Sequence, residues 1–278
     1  MSIDTPLARA AEAAINLKLG NTEKLPNPKQ TTVITIANQK GGVGKTTTAV
    51  NLAAALAKHG LHILVIDTDP QGNASTALNI DHRVGTPDVY SVLVEEVDFS
   101  EVVKPVAEIE LVSLVAREYR LQRALNKYLD FHREKYKKAI DYVFIDCPPS
   151  LGLLTLNALV AAKEVLIPIQ TEYYALEGLG QLMNNVNLVK KQLNPDLEVA
   201  TIVLTMFDSR TNLSQQVAEE VRKHFGDIVI TTEIPRAVRV SEAPSFQQTV
   251  ITYDPGSPGA QAYVKVAKEF AQRHAGVN

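Results

Sequence analysis

With 28 basic and 31 acidic residues among 278, the chain carries a formal charge of −3, so any polyanionic partner must be met by a local patch. A 45% hydrophobic content supports a sizeable core, yet no run of 18 apolar residues offers a membrane span, and the N-terminus lacks an apolar signal core. The single Cys147 excludes an internal disulfide and suits a reducing compartment.

Residues 1–20 carry Leu7, Ala10, Ala11, Ala14, Ile15 and Leu19 at helical spacing, which predicts an amphipathic helix or tail. Residues 21–30 contain two prolines and read as a linker. Thr32 to Ala37 is a short β-branched run, and Thr46 to Lys58 is an Ala- and Leu-rich helix stopped by His59 and Gly60. Strands are expected at 32–37, 62–67, 109–115, 141–146, 164–169, 198–206 and 228–233, with helical stretches between most of them. Such alternation predicts an α/β fold with a mostly parallel, twisted sheet covered by helices on both faces. Length alone allows two domains, but one uninterrupted β/α series from 31 to 278 argues for one. Ligands in such sheets sit beyond the carboxyl ends of the strands.

Between the first strand and its helix, residues 38–47 read Asn-Gln-Lys-Gly-Gly-Val-Gly-Lys-Thr-Thr. Gln39 stands where the strict phosphate-loop pattern has glycine, but Gly44, Lys45 and Thr46 keep its working end. Lys40, Gly41, Gly42 and Val43 fill the loop, and Thr47 follows it. Glycines let backbone N–H groups curl around phosphates, Lys45 meets the β/γ-phosphates, and the Thr46 hydroxyl takes a Mg²⁺ position. The helix that follows aims its positive end at the same place. A plain glycine-rich turn is the alternative, and the surrounding strand and helix argue against it. The chain is therefore expected to be a P-loop NTPase.

Three carboxylates end strands near this loop. Asp146 closes an apolar run and is a candidate for holding Mg²⁺, with a helix N-cap as the plain alternative. Asp69 and Asp67, in Asp67-Thr68-Asp69-Pro70-Gln71-Gly72-Asn73, either serve the chemistry or cap the following turn.

The loop resembles that of the deviant Walker ATPases, which share K-G-G-x-G-K-[ST]-T. The Asp67–Asn73 block, Asp146-Cys147-Pro148-Pro149-Ser150, Thr205 to Thr211, Ile234 to Arg239 and Ser241-Glu242-Ala243-Pro244-Ser245 narrow the resemblance to the ParA/Soj partition branch, over about residues 31–272. The resemblance implies an ATPase that uses ATP and Mg²⁺. It implies that Asp69 positions or deprotonates the attacking water, that Asp67 supports the metal's water shell, and that Asp146 is the Walker B carboxylate. It implies that Lys40 crosses the interface of an ATP-dependent homodimer to the partner's nucleotide. Met206, Pro235 and Ala237 become candidates for the adenine pocket, although Ala237 replaces the asparagine common in that block. Arg210 and Arg239 match arginines used for non-specific binding of double-stranded DNA. A ParB-type partner, a cytoplasmic, nucleoid-associated location and a role in chromosome or plasmid segregation follow from the same resemblance, with no membrane partner expected.

The basic stretch 117–138 has eight Lys/Arg against three Asp/Glu and reads as a solvated helix face or a further anion-binding patch. The nearest rival is a MinD-like membrane-cycling ATPase, which needs a lipid-seeking C-terminal helix. Here Tyr263, Val266, Ala267, Phe270 and Ala271 form one apolar face, expected to pack on the sheet. A small-molecule ligase on the same scaffold is a second rival. One thiol per chain is too few for an iron–sulfur cluster shared between subunits, so Cys147 is expected to be a packed residue.

Overall fold

In a computed structural model the described residues are 5–80, 98–106, 109–113 and 119–276. In chain order they form α1 (Pro6–Leu19), β1 (Thr32–Ile36), α2 (Lys45–Lys58), β2 (Ile63–Asp67), α3 (Asn73–Ala77), α4 (Phe99–Val102), β3 (Lys104–Val106), β4 (Ile109–Ser113), α5 (Arg120–Tyr136), β5 (Tyr142–Asp146) and α6 (Leu153–Ala161). There follow β6 (Glu164–Gln170), α7 (Ala175–Gln192), β7 (Glu198–Thr205), α8 (Asn212–Phe225), α9 (Val238–Glu242), α10 (Val250–Tyr253) and α11 (Pro258–Ala275).

One seven-stranded sheet has the order β3-β4-β2-β5-β1-β6-β7, parallel except for the β3–β4 pair. The central strands β2 and β5 are apolar up to their closing aspartates because both faces are covered. In β5, Tyr142 and Phe144 join the core beneath α2 and α11, whereas Val143 and Ile145 join the core beneath α5 and α6. In β2 the same alternation sends Ile63 and Val65 to the first face and Leu64 and Ile66 to the second. The apolar face of α11 is fully used: Tyr263, Val266, Ala267, Phe270 and Ala271 are all buried. It is therefore not presented to a lipid surface, and among the described residues no helix is long and apolar enough to cross a membrane.

One expectation changes, and one strand is added. Residues 228–233 are not a strand of the sheet, because a 3₁₀ turn (Gly226–Ile228) leads into them and only Val229 makes an isolated bridge, to Ile202. Ile230 N donates to the Ile202 carbonyl, but the next amide, Thr231, donates to the Glu269 carboxylate and so leaves the ladder. The antiparallel β3 was not expected, because Pro105 cannot donate to a ladder and the strand is only three residues long. Of the strand expected at 109–115, residues 114–115 lie outside the described set, as do residues 117–118 of the basic stretch.

The segment before β1 is fastened to the sheet. Leu17 and Leu25 enter the main core, Leu25 N donates to the His59 carbonyl, and Asn27 Nδ2 donates to Asp141 Oδ1 at 2.7 Å.

At the other end of the chain, His274 sits 2.9 Å from Glu164 Oε2, with both side chains 11% exposed. Burial pulls the His274 pKa down, but Glu164 and the Phe270 carbonyl outweigh it, so the net shift is upward from 6.5. A raised folded-state pKa adds stability that is fully present below the unfolded value and is lost as pH rises through the folded value. His274→Gln is therefore expected to lower stability by about 1–3 kcal/mol at pH 6 and by less at pH 9, which urea melts at the two pH values would measure. Equal losses at both would remove the charged pair from the account.

Candidate nucleotide site

Parallel register builds the floor of the site. Asp67 and Asp146 are direct partners on neighbouring strands β2 and β5, and Ile36 stands opposite Asp146 on β1. By the period of two, both carboxylates share the face of Tyr142, Phe144, Ile63 and Val65, which is the face that α2 covers. The loop between β1 and α2 then brings Thr46 onto Asp146, and the Thr46 hydroxyl donates to Asp146 Oδ2 at 2.6 Å. Gly44 caps α2 with φ 89°, a left-handed conformation that only glycine takes without strain. The Thr205 hydroxyl at the end of β7 donates to the Val43 carbonyl at 2.8 Å, so a distant strand pins the loop.

Over this floor lies a cleft of about 530 Å³. Gly41, Gly42, Gly44, Lys45, Thr46 and Thr47 line it, with Asp69 and Met206 opposite. Lys45 is 7% exposed, and its Nζ donates to the Lys40 carbonyl at 3.3 Å. Burial depresses its pKa, while Asp146, Cys147 and Asp69 oppose that fall. Asp146 is fully buried, and burial together with the charge of Asp67 raises its pKa well above the usual carboxylate range. Asp69 is 9% exposed; its Oδ1 accepts the Gln71 amide at 3.0 Å and its Oδ2 accepts nothing from the described residues. Met206 adopts φ 52°, a left-handed backbone costly for a side-chain-bearing residue and often found where a ligand is held.

Not every expected residue faces the cleft. Val43 is 1% exposed and contributes through its carbonyl to the pinning of the loop. The Asp67 carboxylate is taken up locally, accepting from Ser75 N and Ser75 Oγ at 2.9 Å each and from Asp69 N at 3.2 Å. That is the geometry of a residue fixing the turn into α3. Pro235 and Ala237 lie outside the cleft lining: Pro235 bridges to Phe207, and Ala237 caps α9 next to Gly259. The Lys40 amine points away from the cleft, to Glu172 Oε2 at 3.3 Å, and Arg236 reaches Glu172 Oε1 at 3.3 Å. Arg210 lies on Asp208 at 2.7 Å, and Arg239 on Glu242 at 2.9 Å and Asp254 at 3.4 Å. Cys147 is buried, and burial pushes its thiol pKa up, so it is packing and not chemistry.

Gln71, Asn73, Thr76, Pro149 and Pro244 also line the cleft without having been assigned a role. Four of them sit in the blocks already singled out, Asp67–Asn73, Asp146–Ser150 and Ser241–Ser245, so block membership was the available signal.

The arrangement fits a magnesium nucleotide. Asp146 Oδ1 is buried with no hydrogen-bond partner, and beta carbons built at Gly41 and Gly42 would meet nothing within 4 Å. An unused carboxylate oxygen beside a hydroxyl suits a hard divalent cation, and open backbone amides suit phosphate.

Comparison with known proteins agrees with this chemistry. Residues 31–199 match a family model described as an AAA domain. The chain is 51% identical to the sporulation initiation inhibitor protein Soj of Bacillus subtilis, over 86% of this chain and 98% of that one. It belongs to the Soj/ParA family of partitioning ATPases. The chromosome partitioning protein ParA of Myxococcus xanthus is 48% identical over 87% of this chain and 88% of its own length. Among solved structures, a cobyrinic acid a,c-diamide synthase from Mycobacterium smegmatis with bound ADP and magnesium superimposes with a TM-score of 0.73 at 34% identity, covering 88% of this chain and 95% of that one. As a Soj/ParA-family member the protein is an ATPase, and its cofactors are ATP and Mg²⁺.

Proposed function

We propose that this ATPase forms a homodimer around ATP, binds double-stranded DNA without sequence preference in that state, and is released when a ParB-type partner stimulates hydrolysis. It would thereby segregate a chromosome or plasmid from a cytoplasmic, nucleoid-associated position. The observation that carries the reading is the cleft that joins Lys45, Thr46 and Asp69 over Asp146 in a chain half identical to Soj. Thr46 and Asp146 would hold Mg²⁺, which supplies positive charge against the β/γ-phosphates. Lys45 offsets the charge that builds on the transferred phosphoryl group, and Asp69 orients the attacking water or accepts its proton. Asp67 supports this role by fixing the turn that carries Asp69. Met206 places its side chain at the cleft wall, where a base can lie.

Lys40 is the residue proposed to reach the partner's nucleotide. In the single chain its amine is held by Glu172 and its side chain is 37% exposed, so it can exchange one anion for another. Lys40→Ala is expected to abolish ATP-dependent dimerisation in sedimentation velocity while the monomer still binds nucleotide. A Lys40→Ala protein that dimerises and turns over normally would discard the crossing role.

Arg210 and Arg239 are the proposed DNA contacts, and their present carboxylate partners would be exchanged for phosphates. The deciding experiment is binding to a random-sequence duplex with ATP, ADP or no nucleotide at two salt concentrations. ATP should give the tight complex, and its affinity should fall with a log–log salt slope of about −0.9 per phosphate neutralised. Sequence-specific, salt-insensitive binding would contradict the reading.

A further inference from the structure

The edge of the sheet opposite the nucleotide cleft carries two further clefts, side by side along the N-terminal ends of the strands. One, of about 510 Å³, is lined by Lys24, Lys58, His59, His62 and His132 among others. The other, of about 530 Å³, is lined by Lys29, Lys163, Glu164, Arg273 and His274 among others. The segment 21–30 runs between them, held by the Leu25 and Asn27 hydrogen bonds described above. Lys137 and Lys138 stand beside the first cleft, where the Lys138 carbonyl meets His132 Nδ1 at 3.1 Å. Lys24 lies along Gly60, and the Lys29 amine approaches Gly276 at the end of α11.

The charge of this edge is unbalanced. Lys24, Lys29, Lys137, Lys138 and Lys163 are exposed, and none of the five has a carboxylate partner among the described residues. The nearby acids are mostly engaged: Asp141 accepts from Asn27 and the His62 amide, Glu164 holds His274, and Glu23 lies 3.8 Å from Lys268. Among the described residues, Glu134 near the end of α5, Asp227 beside Arg273, and Asp196 and Glu198 at the start of β7 are exposed acids without an ion-pair partner, so the edge is basic but not free of negative charge. Arg210 and Arg239, by contrast, are each already neutralised by their own chain. Bare lysines without base-reading side chains suit a polyanion contacted through its phosphates.

We propose that this N-terminal edge is a second contact surface for the phosphate backbone of double-stranded DNA. The inference rests on the DNA-binding reading above and deepens it. The edge lies at the far end of the strands from the ATP cleft, so its contact does not depend on which nucleotide is bound. It gives the ADP-bound and nucleotide-free chain a weak, salt-sensitive hold on DNA, and Arg210 and Arg239 add to it in the ATP state. Lys24 and Lys29 belong to the segment before residue 31, where the matching family model begins.

The test is fluorescence anisotropy with a random-sequence duplex at 50 and 200 mM salt, on the full chain and on a variant with Lys24, Lys29, Lys137, Lys138 and Lys163 all changed to glutamine. Basal ATP turnover, to which these lysines contribute nothing, checks that the variant is folded. The variant should lose ADP-state binding, and with ATP its salt slope should become shallower by about 0.9 for each contact removed. If the full chain binds DNA with ATP and the variant matches it in both nucleotide states, the proposal is overturned and the partition reading stands. If the full chain binds no DNA under any condition, both fail. If the variant keeps DNA binding but no longer floats with anionic vesicles that capture the full chain, the edge serves lipid and the proposal is again overturned.

Discussion

Asp69→Ala is expected to keep nucleotide affinity within a few-fold of the native value and to lower turnover by about 10²–10⁴-fold, the usual worth of a positioned general base. The asymmetry follows from placement. Asp69 lines the cleft, is 9% exposed and has an oxygen that no described donor occupies, so it can meet a water. It is also one of several carboxylates near Lys45, so its loss removes repulsion toward an anionic ligand and leaves the phosphate contacts in place. Equilibrium binding of a fluorescent ATP analogue, run beside single-turnover phosphate release, separates the two effects. Native turnover in the variant would reject the role, and lost binding would mean that Asp69 is structural.

Lys45→Ala should show the reverse pattern, with binding lost first. Lys45 is buried beneath the loop, and breaking a buried charge pair by removing one member costs about 3–5 kcal/mol. That corresponds to a weakening of nucleotide binding by about 10²–10³-fold or more, because each 1.4 kcal/mol is tenfold. The substitution also leaves Asp146 and Asp69 without the cation that opposes them, so Lys45→Met, which keeps the stem's packing but not the charge, should bind as poorly as Lys45→Ala. Isothermal titration with Mg·ATP would measure it. Binding within threefold of native would place the phosphates elsewhere in the cleft.

The phosphate loop could be read from sequence because its chemistry needs neighbours in the chain: a turn of glycines, then a lysine, then a hydroxyl. The strands were visible for a similar reason, since Tyr142–Ile145 and Ile63–Ile66 are apolar without interruption up to the aspartates that close them. What the sequence hid depends on contacts across distance. Pro149 and Pro244 reach the cleft from blocks almost a hundred residues apart, and nothing local to either says that they share a wall. Glu172 is a lone glutamate in the sequence, yet the fold sets it between Lys40 and Arg236. The misread strand at 228–233 had suitable residues in Val229 and Ile230, and a carboxylate on α11 drew the next amide away.

The pairing of Asp67 with Asp146 limits how the gene can change. Because side chains alternate along a strand, gaining or losing one codon just before Asp146 would swing it to the α5/α6 side, and the same change at the start of β5 would exchange the faces of Tyr142 through Ile145 as well. Insertions and deletions should therefore be purged from β2 and β5 and tolerated between the elements. Across diverged descendants, the number of residues from Tyr142 to Asp146 should vary less than the residues themselves.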